Sequence, residues 1–309
     1  MKRRAVFCLF FGLLPLLLAA AAASPTAKMF NGQVASMETA GLSLLERVAA
    51  ACRSWAAEKD GSVFFTAWAF PACELIRSCR GSAGDHKNGP VAVRVRGGQI
   101  SVHEDGGEGL NISDGPGEKK EPVSWGVLLF LHQVKNGRCQ VLDMDVLAPD
   151  RTYDLGSERL VWLGPTDEKQ GLEFIRTLLA PGSGRDLHKE SVFALYLFRG
   201  PDAVADLIGL ARRDPDMEVR KDAIFWLGQK ASAAAVAALG DVIASFETLE
   251  IKKAAVFALS QLPEQTGTPM LLRIARKNSQ PRLRQEAIFW LGQSADPRAL
   301  DFFEEILLK

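Results

Sequence analysis

Four polar side chains in the middle of the chain are the first candidates for chemistry. They are His132, Asp143, Asp145 and Asp154. An enzyme needs two or three ionisable groups that meet in one cleft, and this stretch is the one that could supply them. Together with Asp150, the same aspartates could also bind calcium, but their spacing does not fit an EF-hand loop and its glycine is missing. The polar end of a β-hairpin explains the pattern more simply.

Other catalytic signatures are absent from the sequence. It contains no G-x-S-x-G, S-x-x-K, H-E-x-x-H or Walker A string. The glycine cluster at 182–184 has no lysine after it and fits a linker. His103 and Glu104 lie at the end of a predicted hairpin, where a surface role is expected. We therefore expect no catalytic residue, no cofactor, no cofactor-binding residue and no metal site.

Residues 1–23 have the pattern of a secretory signal peptide. Lys2, Arg3 and Arg4 precede an apolar stretch that is short for a membrane span, and the alanines at 21–23 fit a cleavage site. An uncleaved N-terminal anchor is the alternative. After cleavage we expect an exported, periplasmic or extracellular protein that is not inserted in the membrane.

The charge balance argues against nucleic acid as a partner. The whole chain of 309 residues has 37 basic and 37 acidic side chains, and cleavage would leave 34 against 37, a net charge of −3. Binding to nucleic acid through a large basic surface needs the opposite balance. With 47% hydrophobic and 24% charged residues, the composition is that of a globular protein rather than a disordered one.

Four cysteines would remain after cleavage, and an even number in an oxidising compartment favours disulfides. They are Cys52, Cys73, Cys79 and Cys139. The spacing of Cys73 and Cys79 does not match the C-x2-C pairs of zinc sites, which disfavours a metal. Four cysteines allow three pairings, among which a local Cys73–Cys79 link is slightly favoured. Four unpaired, mostly buried cysteines are the alternative.

The second half of the chain repeats itself with a period of 32, the offset between positions 223 and 255. The heptapeptide AIFWLGQ at 223–229 recurs at 287–293, and a related segment lies halfway between, at 255–261. Each unit has two apolar stretches with helical spacing, separated by turns, so the sequence predicts stacked helix pairs in an α-solenoid. The units lie near 187–218, 219–250, 251–282 and 283–309. Six apolar residues form the predicted repeat core: Ile224, Leu227, Val256, Leu259, Ile288 and Leu291.

Charged and aromatic residues also recur in the repeats. We expect the basic residues Arg220, Lys252 and Arg284 to pair with acids of neighbouring units. The aromatic columns at 225, 257 and 289 are expected to lie in the core rather than in a recognition groove. The second helices would form an inner surface, and its candidate interaction residues are Arg212, Arg213, Arg273, Arg276 and Lys277.

Residues 24–158 predict a small α+β domain that precedes the solenoid. Residues 37–57 have one apolar helical face, and about five strands follow, with antiparallel hairpins turning at Gly97-Gly98 and Asn136-Gly137. Residues 159–184 would form a junction and a capping helix.

Two resemblances extend these predictions. The phrase FWLGQS before DPRAL at 289–300 resembles short bacterial HEAT repeats of the phycobilisome-lyase type, over roughly 185–309. The segment WAFP at 68–71 with the nearby Cys73 and Cys79, and YDL at 153–155 before VWL at 161–163, resemble a group of secreted bacterial HEAT-repeat proteins of uncharacterised function. A cysteine that this group would place near Asp154 is absent, which leaves the disulfide scheme open.

The resemblance implies a protein that binds other proteins or peptides by shape. The paired His-Glu sites of the HEAT-like deoxyhypusine hydroxylases are missing from the repeats, and export argues against a bilin lyase. We therefore expect a non-catalytic interaction or scaffold protein of the periplasm or cell envelope, without nucleic-acid partners. An enzyme or ligand sensor with its site in the N-terminal domain, or a structural envelope component, are the alternatives.

Overall fold

The computed structural model describes most of the chain beyond the predicted signal peptide. The described residues are 26–37, 41–56, 61–72, 91–96, 99–103, 125–149, 151–180, 184–245 and 247–308. Residues 1–23, Cys73, Cys79 and Asp150 lie outside them. In this part of the chain, no helix is both long enough and apolar enough to cross a bilayer.

The N-terminal half forms one sheet with a single α-helix beside it, among the described residues. The strand β5 is buried on both faces because it is a nearly continuous apolar run, a pattern typical of central strands. The elements are β1 (Phe30–Ser36), α1 (Leu44–Ala56), β2 (Val63–Pro71), β3 (Val91–Arg96), β4 (Gln99–His103), β5 (Trp125–Lys135), β6 (Arg138–Leu147) and β7 (Tyr153–Pro165).

The sheet is mixed, and β7 organises it. The strand order is β4-β3-β7-β2-β5-β6, and β1 also pairs with β7. The predicted hairpins β3–β4 and β5–β6 are antiparallel, and Asn136 and Gly137 turn the second one with positive φ angles of 53° and 68°. In contrast, β1, β2 and β3 all run parallel to β7. The prediction of about five strands was therefore too low, because it missed β1 and β7.

The strand β7 also crosses the expected boundary between 158 and 159. Its C-terminal part, which includes Trp162, pairs with β1 and β2. The strand-rich unit therefore extends to Pro165. Trp162 precedes Trp226 by two periods of the repeat, but Trp162 lies on a strand and Trp226 on a helix, so Trp162 is not part of the repeat.

The second half is a stack of helix pairs, which confirms the predicted solenoid architecture. The first helices of the units begin at Arg185, Met217, Leu249 and Pro281, which keeps the period of the sequence without interruption. After the capping helix α2 (Glu168–Leu178), the helices are α3 (Arg185–Leu197), α4 (Pro201–Arg213), α5 (Met217–Lys230), α6 (Ala233–Ala244), α7 (Leu249–Ser260), α8 (Glu264–Lys277), α9 (Pro281–Leu291) and α10 (Pro297–Leu307). Of the six predicted core residues, Ile288 is half-buried and the other five are buried.

One hydrophobic core continues from the N-terminal sheet into the helix pairs. Phe198, which follows α3, lies with its ring centroid 4.8 Å from that of Phe70 on β2. Phe174 on α2 meets Phe130 on β5 edge to face, at 5.0 Å. These rings surround the buried Trp68, and the buried cluster continues from there into the helix pairs. The burial of these large aromatic side chains holds α2 and the end of α3 against the sheet.

Candidate functional site

The histidine of the candidate catalytic stretch is part of the core. His132 is 1% exposed, and its Nε2 lies 2.8 Å from Oγ1 of Thr66 on the neighbouring strand. Its ring stacks on that of Phe64 at 5.1 Å. Burial lowers the pKa of His132 from 6.5 to about 3, so the imidazole is neutral at physiological pH. It serves packing and the cross-strand contact.

The three described aspartates of that stretch bind different backbone amides. Val146 N donates to Asp145 at 2.7 Å, and Gly156 N donates to Asp154 at 3.0 Å. Asp143 accepts from the backbone of Ile100 on β4 and is buried. In these contacts His132 and the three aspartates do not bind one another.

Asp143 has a second partner that the sequence did not indicate. Glu190 on α3 forms a hydrogen bond with it, and Met144 N donates to the Glu190 carboxylate at 3.3 Å. Burial and the adjacent Asp143 carboxyl hold the pKa of Glu190 well above its usual range. This carboxyl pair joins the edge strand β6 to the first repeat helix. No spacing in the sequence could reveal it, because the two residues lie on elements of different halves.

A disulfide joins Cys52 on α1 to Cys139 on β6. Two of the four candidate cysteines are thus paired with each other, and if all four pair, the remaining link is Cys73–Cys79, which stays a prediction. The His132 Nδ1 lies 3.7 Å from the Cys139 sulfur, and the donor atoms of these three residues lie within 4.8 Å of one another. Metal ligation needs thiolates, and the disulfide uses both sulfurs, so in this state the cluster is a cross-link.

Ion pairs connect neighbouring second helices at a repeated position. Arg212 Nη2 on α4 lies 2.7 Å from Asp241 Oδ2 on α6. Two periods later along the chain, Arg276 Nη2 on α8 lies 2.8 Å from Glu305 Oε2 on α10. The four side chains are well exposed, so each pair contributes little stability, and its importance is that it covers the junction between two units.

The junction between α6 and α8 lacks this ion pair. One period after Arg212 and Asp241, the chain has Ala244 and Arg273. This junction therefore has a cation, Arg273, at the position where the other two junctions have an acid. The partner position, Ala244, carries only a methyl group. Arg273 is exposed, and no described residue forms an ion pair or hydrogen bond with it.

A groove of about 730 Å³ lies at this junction. Small side chains of α6 form one wall, and α8 contributes Thr266, Met270 and Arg273 to the other. The lining residues of the first wall, including the turn before α6, are Ala231, Ala233, Val236, Ala237, Gly240, Asp241 and Ala244. Arg273 is thus the cation of a largely apolar groove whose volume lies within the range of ligand-binding pockets.

The groove exists because α6 has small residues where its neighbours have large ones. Gly240 takes the position of Ile208 in the preceding unit and of Leu272 in the following one. Ala244 similarly replaces the arginine of both neighbouring units. A column-by-column comparison of the second helices contains this signal, because Gly240 and Ala244 are the small members of their columns.

The chain has a family match in this region. Residues 247–309 match the model of HEAT repeats. This part of the chain is similar to HEAT repeats. The match includes α7 to α10, and the same two-helix units continue upstream to α3. Repeats of this type generally mediate protein–protein interaction or scaffolding through their extended surfaces. A comparison with curated proteins finds no match.

The five cations proposed from the sequence lie on the second helices of the HEAT-like units, but in different settings. Arg212 and Arg276 are held in the ion pairs between units. Arg213 lines a smaller cavity of about 330 Å³ between α2 and α4. Lys277 is exposed at the end of α8, and Arg273 lines the larger groove. The structure therefore separates Arg273 from the other four.

The basic residues of the first helices bind backbone carbonyls as well as an acid. Arg220 Nε donates to the carbonyl of Ala211 at 3.0 Å, and Arg284 Nη1 donates to that of Asn278 at 2.9 Å. Both carbonyls lie at the end of the preceding second helix, where carbonyl groups lack helical partners and attract cations. Arg220 also pairs with Glu247 at 2.6 Å. An acidic partner is therefore present for Arg220, whereas the partners of Arg284 among the described residues are backbone carbonyls.

A neighbouring column makes those contacts between units. Lys221 lies 3.8 Å from Glu250, and Lys253 lies 3.0 Å from Glu286. These lysines follow the basic column by one residue, so they point to a different side of the helix. The expected type of contact is present, with a register error of one position.

The aromatic columns form a ladder of rings on the first helices. Phe225 and Phe257 stack at 6.2 Å, and Phe257 meets Trp290 at 4.9 Å. Phe225 and Phe257 are half-buried, and Phe289 is 56% exposed. The expectation of a core position is therefore only partly met, because these rings pack against each other along the outside of the apolar seam.

Proposed function

We propose that the protein is a non-catalytic scaffold that binds a partner protein with the face formed by its second helices. The observation that carries this proposal is the groove between α6 and α8. It is open, mostly apolar and bounded by helices that are fixed in the stack. Extended solenoid surfaces bind proteins by shape, and a preformed groove on such a surface reduces the entropic cost of binding.

The small side chains of the groove support a binding role for it. A solenoid junction gains stability when large apolar side chains fill it, as Ile208 and Leu272 do in their units. Gly240 has the opposite effect, since glycine destabilises the interior of a helix by about 1 kcal/mol relative to alanine. Residues that reduce stability at an exposed surface are typical of functional sites.

We further propose that the protein acts in the periplasm or cell envelope after export. The signal-peptide pattern of residues 1–23 supports export. The Cys52–Cys139 disulfide supports it as well, since such bonds persist in oxidising compartments and are rare in the cytosol.

Site-specific photo-crosslinking tests the binding face. A photoreactive amino acid replaces Ala237, an exposed residue of the groove, in the protein expressed in its host. The same replacement at Gln285, which is exposed on α9 away from the groove, is the matched control. We expect one reproducible adduct from position 237 that is absent from position 285. Equal labelling from both positions, or none from either, would contradict the proposal and favour a purely structural envelope component.

Introducing a larger side chain into the groove gives a second readout. Gly240→Leu restores the residue type of the neighbouring units, so the helix is stable and the groove is filled. Ala234→Leu adds the same side chain on the same helix outside the groove lining. The adduct should disappear with Gly240→Leu and persist with Ala234→Leu.

A further inference from the structure

We propose that Arg273 binds a carboxylate side chain of the partner, on a segment whose small apolar side chains fill the rest of the groove. This inference rests on the proposed function, because it names the chemistry that the second-helix face would recognise. It goes beyond that function in assigning one residue, one charge and one class of ligand.

The repeat itself shows which charge is missing at this junction. At the equivalent position of the two neighbouring junctions, a carboxylate and an arginine meet at 2.7 Å and 2.8 Å. At the junction of α6 and α8, the arginine is contributed from the other side, as Arg273, and Ala244 offers it no partner. A bound carboxylate would therefore complete at this junction the kind of ion pair that the protein makes internally at the other two.

Among the described lining residues, Arg273 carries the one charge that is not paired within the protein. Asp241 also lines the groove, but Arg212 neutralises it from α4. The other lining residues that the structure describes are uncharged. Because apolar walls reduce the competition from water, an arginine beside them binds a carboxylate more strongly than a fully solvated arginine does.

The chemistry of the lining favours a peptide carboxylate over a phosphate or a nucleic acid. A phosphate group carries nearly two negative charges, and the groove has one unpaired cation to offer among its lining residues. None of the described lining residues is aromatic, so they offer no ring on which a base could stack. In contrast, alanine, valine and methionine side chains suit small apolar groups, and the flexible thioether of Met270 can adapt to their shape.

A peptide selection tests the assignment directly. The probe is a phage-displayed library of random peptides, selected on the immobilised protein and on three variants. Arg273→Glu reverses the charge, Ala244→Arg/Arg273→Glu rebuilds the internal ion pair of the neighbouring junctions, and Gly240→Leu fills the groove. Ala234→Leu is the control for an added side chain outside the groove. All these positions except Gly240 are exposed, so the variants should fold, which thermal unfolding by circular dichroism verifies.

We expect the unaltered protein to select peptides that share an aspartate or glutamate next to small apolar residues. Measured by fluorescence anisotropy, their affinity should fall by about 10- to 100-fold with Arg273→Glu, since a charge-assisted hydrogen bond is replaced by repulsion. Selection on Arg273→Glu should return lysine or arginine at the same place in the peptide. The double variant should bind neither set, because its own ion pair closes the site.

The outcomes separate this inference from the proposed function. If Gly240→Leu abolishes binding while Arg273→Glu binds the same peptides with unchanged affinity, the groove binds partners but the carboxylate assignment is wrong. If Gly240→Leu also leaves binding unchanged, or no peptide is enriched, both proposals fail. Concentration-dependent self-association of the protein that Gly240→Leu abolishes would identify a second copy as the occupant and overturn the peptide assignment.

Discussion

Cys52 on α1 and Cys139 on β6 are bonded across a sequence separation of 87 residues. The bond ties the only α-helix described in the N-terminal half to an edge strand of the sheet. The same helix is also held by Arg47, which is buried and donates to the carbonyls of Leu163 at 2.8 Å and Pro165 at 3.1 Å on β7. Two independent links thus hold α1 in place, one covalent and one polar.

Removing the covalent link should therefore destabilise the protein without unfolding it. Reduction, or Cys52→Ser with Cys139→Ser, should lower the free energy of unfolding by about 2–4 kcal/mol, because the unfolded chain gains the entropy of an open loop. Urea unfolding followed by circular dichroism measures this with and without reductant. The double variant should be insensitive to reductant at this bond. Identical midpoints for the oxidised and reduced protein would contradict a stabilising role.

The second pair of cysteines can be tested by peptide mapping. If the four cysteines form two disulfides, the pairing of Cys52 with Cys139 leaves Cys73 with Cys79. Trypsin cleaves after Arg77, between the two, so a non-reducing digest should contain the two short peptides as one linked mass. Alkylation of Cys73 and Cys79 without prior reduction would show free thiols and refute the link.

The repeat half could be predicted well because its signals are local. The first helices begin at Arg185, Met217, Leu249 and Pro281, two residues before the positions where the periodic pattern places the units. A helix forms from contacts between residues three or four positions apart, so a short window contains the needed pattern.

The N-terminal half was predicted less completely because its key contacts are distant in sequence. Phe30 on β1 pairs in parallel with Tyr153 on β7, and a parallel pair has no turn that would mark it. The Cys52–Cys139 bond and the contact between Asp143 and Glu190 are likewise non-local. In each case composition or alternation reveals the element but not its partner.

The groove is an intermediate case. When the units are aligned by their period, Gly240 lies where the neighbouring units have a large residue, and Arg273 lies where they have an acid. Their meaning depends on knowing that the column positions of Arg212 and Asp241 meet across a junction, which only the structure supplies. Before that, Arg273 was one of five equivalent cations.

The buried imidazole of His132 should make stability depend on pH. In the unfolded chain this group binds a proton near pH 6.5, whereas the folded protein holds its pKa at about 3. Below pH 6.5 this imidazole binds a proton in the unfolded chain but not in the folded protein. Its contribution to the free energy of unfolding should therefore fall by up to about 1.4 kcal/mol for each unit by which the pH is lowered. Glu190 acts in the opposite direction, since its raised pKa favours the folded state at lower pH.

Two variants isolate the contribution of His132. His132→Gln removes the titrating group, so the variant should be less stable than the unaltered protein at pH 7, and this difference should shrink as the pH is lowered from 6.5 to 5. Thr66→Val removes the hydrogen-bond partner and leaves the imidazole buried, so it should keep the slope of the unaltered protein. Urea unfolding at several pH values gives both slopes. If the stability of His132→Gln follows pH with the same slope as that of the unaltered protein, the buried imidazole contributes nothing to the pH dependence.

Two glycines of neighbouring helices should respond oppositely to alanine. At Gly240 on α6 an added Cβ would lie 3.4 Å from the terminal methyl of Met270, an ordinary contact inside the groove. At Gly228 on α5 it would lie 2.7 Å from the carbonyl oxygen of Ala258 on α7, which is too close. Gly240→Ala should therefore raise the free energy of unfolding by about 0.5–1 kcal/mol through helix propensity, and Gly228→Ala should lower it by about 1–3 kcal/mol through overpacking.

Urea unfolding of both variants measures this contrast. Crosslinking to the partner from position 237 then shows whether Gly240 is needed for binding. If Gly240→Ala is more stable but gives less crosslinked partner from position 237, the glycine at 240 is needed for the groove and not for the fold. A loss of stability in Gly240→Ala comparable to that of Gly228→Ala would show that α6 and α8 pack closely at this point. In that case the groove would not be available to a partner, and the binding face would have to be sought elsewhere on the solenoid.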